Sequence, residues 1–216
     1  MVARCGLAAA IVVAAVACGG TGPAMIAEHN FDGASQEDWP VGNSADGSVG
    51  YANGAYRILV KTPGQIQYSA VRFDPAVSAV SLEADATELS ESDEPDTWGV
   101  ACLDGERTGY VFTVYRNGDY AISKALDLRD AKVDLVEQGT SDAIHGAGVT
   151  NRITATCDGG GGGAGITRLT LAVNGKEVAE AEDREGLDAF DAYGFLVYTR
   201  AGGTEVAFDN LLVTEG

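Results

Sequence analysis

Thr167-Arg168-Leu169-Thr170-Leu171-Ala172-Val173-Asn174-Gly175-Lys176-Glu177-Val178 is the stretch whose reading decides the fold. Leu169, Leu171 and Val173 fall on one row and Arg168, Thr170 and Ala172 on the other, the period of two of a strand with one buried face. Asn174-Gly175 follows, a pair that readily takes the positive φ angles of a type I′ hairpin turn, so the chain returns through Val178. The same reasoning places turns at Asn53-Gly54 and Asn117-Gly118. The first separates a strand near Tyr51 from one through Tyr56, Ile58 and Val60; the second joins Tyr110, Phe112 and Val114 to Tyr120 and Ile122. Alternation predicts further strands over 65–71, 80–86, 97–103, 132–137, 152–157, 194–199 and 206–213, and no helix beyond a short turn at 187–190. About a dozen strands are more than one open sheet carries comfortably, so the expected fold class is an all-β sandwich of two antiparallel sheets.

The first seventeen residues read differently. Arg4 supplies a positive start and every residue from Gly6 to Ala17 is apolar or small, the layout of a signal peptide over 1–17. A run of about a dozen residues is too short for a helix that needs roughly 20 to cross a bilayer. Ala15-Val16-Ala17 fits ordinary secretion, and with Cys18 it also resembles a bacterial lipobox, in which the cysteine is acylated and becomes the new N-terminus. Residues 18–27, with Gly19-Gly20-Thr21-Gly22-Pro23, then read as a lipidated N-terminus and flexible tether, and 28–216 as one sandwich domain. The expected location is the extracytoplasmic face of a membrane, or the medium if Cys18 carries no lipid.

Cysteine usage agrees with export. Once Cys5 leaves with the signal and Cys18 is assigned to the anchor, only Cys102 and Cys157 remain, and in an oxidising compartment they are expected to form a disulfide. Two separate buried thiols are the alternative. The formal net charge of -18 disfavours nucleic acid and anionic headgroups as partners. The glycine run at 159–163 lacks the Gly-Lys-Ser/Thr of a phosphate-binding loop and reads as a hairpin loop.

Several segments resemble one known family. They are Gly99-Val100-Ala101-Cys102, Tyr110-Val111-Phe112-Thr113-Val114 running into Asn117-Gly118-Asp119-Tyr120, Asn151-Arg152-Ile153-Thr154-Ala155-Thr156-Cys157, Leu171-Ala172-Val173-Asn174-Gly175, and Phe208-Asp209-Asn210-Leu211. Together they look like the concanavalin A-like lectin/glucanase superfamily, a LamG-like jelly roll, especially its exported bacterial members. The resemblance implies two curved antiparallel sheets, a first strand near Phe31 beside the last near Phe208, and a ligand on the concave sheet or its rim loops. It does not imply one activity, since a common fold hosts many.

Glu83-Ala84-Asp85-Ala86-Thr87-Glu88 is similar to the catalytic strand of laminarinase-type and lichenase-type glucanases. On that resemblance Glu83 would be nucleophile, Glu88 acid/base and Asp85 the group tuning them. Retaining hydrolysis needs two carboxyl groups about 5 to 5.5 Å apart. Residues 83 and 88 point to opposite faces of a regular strand, so the reading requires a bulge near Ala86-Thr87. A half-exposed strand with a solvated outer row reads the same way.

Aromatic side chains that could stack on sugars are Trp98, Tyr110, Tyr115 and Tyr120, with Tyr115 on the row opposite Tyr110 and Phe112. Glu91, Asp93, Glu94 and Asp96 form an acidic stretch whose oxygens suit calcium, and Asp32 and Asp209 would approach each other if the terminal strands pair, as for a structural calcium. His29 and His145 stand alone in sequence, with no nucleophile motif for a hydrolase triad. The expected function is a surface module that binds a glycan or another envelope component. A glycoside hydrolase acting through Glu83 and Glu88 and a structural domain for protein contacts are the alternatives.

Overall fold

The computed structural model describes residues 22–32, 39–90, 96–160 and 165–216. The segment read as a signal peptide, Cys18, the acidic residues Glu91, Asp93 and Glu94, and most of the glycine run lie outside the described residues.

Two antiparallel sheets form the sandwich. The first has nine strands and runs β13 (Lys176–Asp183), β12 (Thr167–Val173), β11 (Asn151–Asp158), β6 (Ala79–Glu88), β15 (Thr204–Glu215), β4 (Ala55–Val60), β3 (Gly47–Ala52) and β2 (Gly42–Asn43), with β1 (Met25–His29) pairing beside β15. The second has six, in the order β10 (Lys132–Thr140), β9 (Asp119–Asp127), β8 (Thr108–Tyr115), β7 (Thr97–Asp104), β14 (Phe190–Tyr198) and β5 (Ile66–Val77). This is the two-sheet antiparallel sandwich expected from the alternation, with the jelly-roll arrangement that the family resemblance implied, and no helix occurs among the described residues.

The interior follows from the period of two. Val80, Leu82, Ala84 and Ala86 of β6 point inward beside Ile153, Ala155 and Cys157 of β11, and Trp98, Val100 and Cys102 of β7 meet them from the other sheet. Cys102 and Cys157 are bonded, with Cα atoms 6.5 Å apart, so the disulfide crosses from one sheet to the other. At the end near β1 the core is aromatic: Phe31, Trp39, Tyr56, Phe195 and Phe208 pack in a chain, Trp39 stacking on Phe195 at 4.7 Å and Phe195 on Phe208 at 4.2 Å.

Three local expectations are corrected. The first strand starts at Met25, inside the segment read as tether, because Met25 and Ala27 pair with Thr214 and Val213. Phe31 lies beyond that strand and is buried in the aromatic cluster. Asn53 and Asn174 take positive φ (both 54°) as type I′ turns require, but at the Asn117-Gly118 turn only Gly118 does (91°). Tyr115 and Asp119 bracket three residues there, and Gly118 N–H donates to Tyr115 O at 3.0 Å, the three-residue hairpin with glycine in the left-handed position.

The six-stranded sheet departs from simple one-sided burial. Its outer row also carries buried apolar side chains, Ala101, Leu103, Val111, Ala125, Ala192 and Leu196, with Leu128 from the β9–β10 connection capping one end.

Candidate functional site

The carboxylates of β6 do not converge. β6 pairs with β11 without a shift from Asn151 opposite Ala86 to Asp158 opposite Ala79, so the strand holds no bulge. The extra residue sits instead on β15, between Asp209 and Leu212, where Asn210 takes φ 49°. Glu83 and Asp85 therefore face outward while Glu88 points into the sandwich, and the geometry of a retaining pair is not met.

Each carboxylate has a structural partner. Arg152 from β11 pairs with Glu83 and, at 3.0 Å, with Asp85, whose other oxygen accepts from Asn210 Nδ2 at 2.8 Å. Glu88, with a fully buried side chain, accepts from Arg116 through two guanidinium N–H groups and from Ser90 Oγ at 2.8 Å. Arg116 belongs to the β8–β9 turn, so this pair ties the two sheets together.

The metal candidates fare unevenly. Asp96 is buried and accepts from Thr199 Oγ1 (3.1 Å), Thr204 Oγ1 (2.6 Å) and Arg200 N–H (3.2 Å), so it holds the β14–β15 turn and is not part of a solvated acidic loop. Asp32 acts on Asp209 through its charge. Burial raises the Asp209 carboxyl above its ordinary range against the Asn210 N–H, and the charges of Asp32 and Asp85 push it the same way. Among the described residues no three His, Cys, Asp or Glu side chains stand close enough together to hold a metal ion.

The proposed stacking residues separate by face. Trp98 and Tyr110 are fully buried, and Trp39 is nearly so, which leaves neither tryptophan exposed for a sugar. Tyr110 OH donates to Asp183 Oδ2 at 2.8 Å and lies 3.2 Å from Thr167 Oγ1. Burial, reinforced by the Asp183 carboxylate, pushes that phenol up to about 12. Tyr120 packs half-buried against the core, with Gly139 lying on its ring. Only Tyr115 stands on the outer row of the six-stranded sheet. His29 is joined to Tyr193 at 2.9 Å, and His145 to Asn174 at 3.3 Å.

That outer face is the candidate site. Pairing lines up Ile66, Tyr198, Thr97 and Tyr115 across four strands, so two tyrosines flank one threonine. With strands about 4.8 Å apart the two rings stand roughly 10 Å from each other. The next row inward is Tyr68, Leu196, Gly99, Thr113, Ala121 and Gln138. A Cβ on Gly99 would lie 1.8 Å from Phe112 O, so close strand approach excludes any side chain there and keeps the floor low.

Two hollows lie over these rows. One of about 240 Å³ is lined by Ile66, Thr97, Val111, Thr113, Tyr115, Ser123, Ala131, Val133, Leu196, Tyr198 and Arg200. The other, about 430 Å³, is lined by Tyr115, Asp119, Tyr120, Ala121, Gln138, Gly139, Thr140 and Arg200. They share Tyr115 and Arg200, so they form one trough. Tyr198 and Arg200 were absent from the sequence candidates. Alternation from Gly194 and Leu196 does put Tyr198 on their row, but nothing in the sequence says which row faces outward.

A β-sandwich of two antiparallel sheets with a shallow trough on the smaller one defines the class: a jelly-roll sandwich. Comparison of structures agrees. A Bacillus subtilis protein of unknown function with a galectin-like fold superposes with TM-score 0.62 at 11% identity, over 89% of this chain and 96% of the other. The carbohydrate-binding module CBM66 from Bacillus subtilis gives TM-score 0.53 at 12% identity over 84% and 98%. An alginate lyase in complex with an alginate tetrasaccharide gives 0.61 at 11% over 90% and 98%. A sialidase is matched over 89% of this chain but only 19% of its own length (TM-score 0.62, 12% identity). At such identities the likeness is one of fold. No protein-family model matches the sequence, and comparison with curated proteins gives no match.

Proposed function

We propose that the chain is an exported, lipid-anchored surface module that binds a glycan in the trough of the six-stranded sheet. The observation that carries this reading is the row Tyr198–Thr97–Tyr115, with glycine rather than a side chain behind it. A pyranose presents an apolar C–H face that packs on an aromatic ring, while Thr97, Thr113 and Ser123 offer hydroxyls for its edge. Among the described residues the hollow beneath Tyr198 is lined by no carboxylate, histidine or lysine, which favours binding over acid/base chemistry there. Structural neighbours that include a carbohydrate-binding module and an alginate-bound protein support the same reading.

The described chain enters the sandwich at the end far from the trough. Ala24 O accepts from Glu215 N–H at the end of β15, whereas Arg200 lies in the turn before its start at Thr204. At about 3.3 Å per residue the twelve-residue strand separates the two by roughly 40 Å, so a tether from Cys18 would hold the sandwich with the mouth of the trough away from the membrane. A second reading, a contact surface for another protein, draws on exposed Val133 (45%) and Leu135 (56%) of the edge strand β10.

A glycan array followed by calorimetry tests the binding. The full chain is expected to bind at least one oligosaccharide class, and Tyr115→Ala and Tyr198→Ala are each expected to weaken it about tenfold or more while leaving the thermal midpoint nearly unchanged. Binding undiminished in both variants would remove the trough as the site. Mass spectrometry of the mature N-terminus tests the anchor: an unmodified Cys18 leaves export standing and removes the lipid.

A further inference from the structure

We infer that the glycan taken by the trough carries a carboxylate, a uronic-type sugar, and that Arg200 binds it; this rests on the trough being a glycan site. Among the described residues Arg200 is the one charged side chain lining the hollow beneath Tyr198, and it lines the adjoining hollow as well, so it stands where the two meet.

Three features make it a ligand group rather than a surface charge. Its backbone is fixed, because its N–H donates to the buried Asp96, which also holds Thr199 and Thr204 on either side of the turn. Its guanidinium makes no ion pair among the described residues, a state it shares with Arg107, Arg129 and Arg184, but of these four only Arg200 lines the trough, whereas Arg57, Arg72, Arg116, Arg152 and Arg168 are each matched to a carboxylate. In a chain of net charge -18 acidic partners are plentiful, so an arginine left unpaired at a trough keeps its fork of donors for something else. Moreover, Asp119, the one acid among the described residues that line the two hollows, is already engaged: its Oδ2 accepts from Asn117 Nδ2 at 2.7 Å.

A planar carboxylate matches that fork with two parallel hydrogen bonds, which a neutral hydroxymethyl group cannot do. The sugar ring would rest between Tyr198 and Tyr115 with its acid group toward Arg200. The acidity of the whole chain does not forbid this. Charges beyond about 8 Å are largely screened at physiological ionic strength, so the residues of the trough decide the contact and the distant ones only slow the approach.

The experiment compares short oligouronates with the same oligosaccharides after reduction of their carboxyl groups to primary alcohols, by calorimetry on the full chain in 50 mM and 500 mM salt. The oligouronate is expected to bind roughly tenfold more tightly at low salt, with most of the difference lost at high salt. Arg200→Ala should bind both ligands alike, and Arg200→Lys should keep part of the preference, with unchanged circular dichroism in each. A preference that survives Arg200→Ala, or equal binding of both ligands by the unaltered chain, overturns the inference and leaves the glycan site standing. Tighter binding of sulfated oligosaccharides than of uronates overturns the carboxylate assignment. Binding of no oligosaccharide overturns the site itself, and this inference with it.

Discussion

Replacing Arg116 by methionine tests whether Glu88 is a structural group. The Glu88 side chain is fully buried and that of Arg116 is 17% exposed, so methionine would leave a carboxylate in the interior with, among the described residues, only the Ser90 hydroxyl on it. Charges about 4 Å apart at an effective dielectric near 20 attract by about 4 kcal/mol, and breaking one side of a buried pair costs about 3–5 kcal/mol. For a domain of this size that is a fall in thermal midpoint of roughly 6–20 °C. Urea unfolding followed by tryptophan fluorescence reads it directly, since Trp39 and Trp98 are both buried. The double variant Glu88→Met/Arg116→Met removes both charges and should recover to within about 1 kcal/mol of the unaltered chain. An Arg116→Met midpoint shift worth under about 1 kcal/mol would refute the reasoning, and so would a double variant no more stable than the single one.

Other consequences follow from the same contacts. Replacing Cys102 and Cys157 by serine opens a 55-residue loop across the two sheets and should cost about 4 kcal/mol, read as a lowered urea midpoint under non-reducing conditions. Burial works against the ionised Asp183, yet Lys124, the Glu185 N–H and Tyr110 together hold its carboxyl below the ordinary range. Its contribution is therefore present above the unfolded-state value and lost as pH falls through the lower folded one, so Lys124→Met should bring acid unfolding on at higher pH in a titration from pH 7 to 2. Asp209 has the opposite sign: its raised carboxyl makes the charged form costly above the unfolded-state value. Asp209→Asn should raise the urea midpoint at pH 7, and the two proteins should converge as pH falls.

The alternation of Leu169, Leu171 and Val173 and the turns at Asn53-Gly54 and Asn174-Gly175 were legible because a strand's period and a turn's φ angles are set within a few residues. The inter-sheet disulfide was legible for a related reason, since Cys102 and Cys157 each lie on an apolar row. The trough was not. Tyr110 and Tyr115 are neighbours on one strand, and their sequence context does not tell core from surface when the six-stranded sheet carries apolar residues on both faces. Glu83 and Glu88 were ambiguous in the same way, because a single bulge reverses the parity of every residue beyond it.

The sequence by itself determined most of the strands, most of their turns and the cysteine pair. Tertiary structure decided which row faces solvent, that the bulge lies on β15 and not on β6, and that Tyr198, Tyr115 and Arg200 meet at one trough. The physical reason is that strand periodicity is local, whereas a site on a sheet is made by register between strands far apart in sequence: Tyr198 and Tyr115 meet only because both pair with Thr97.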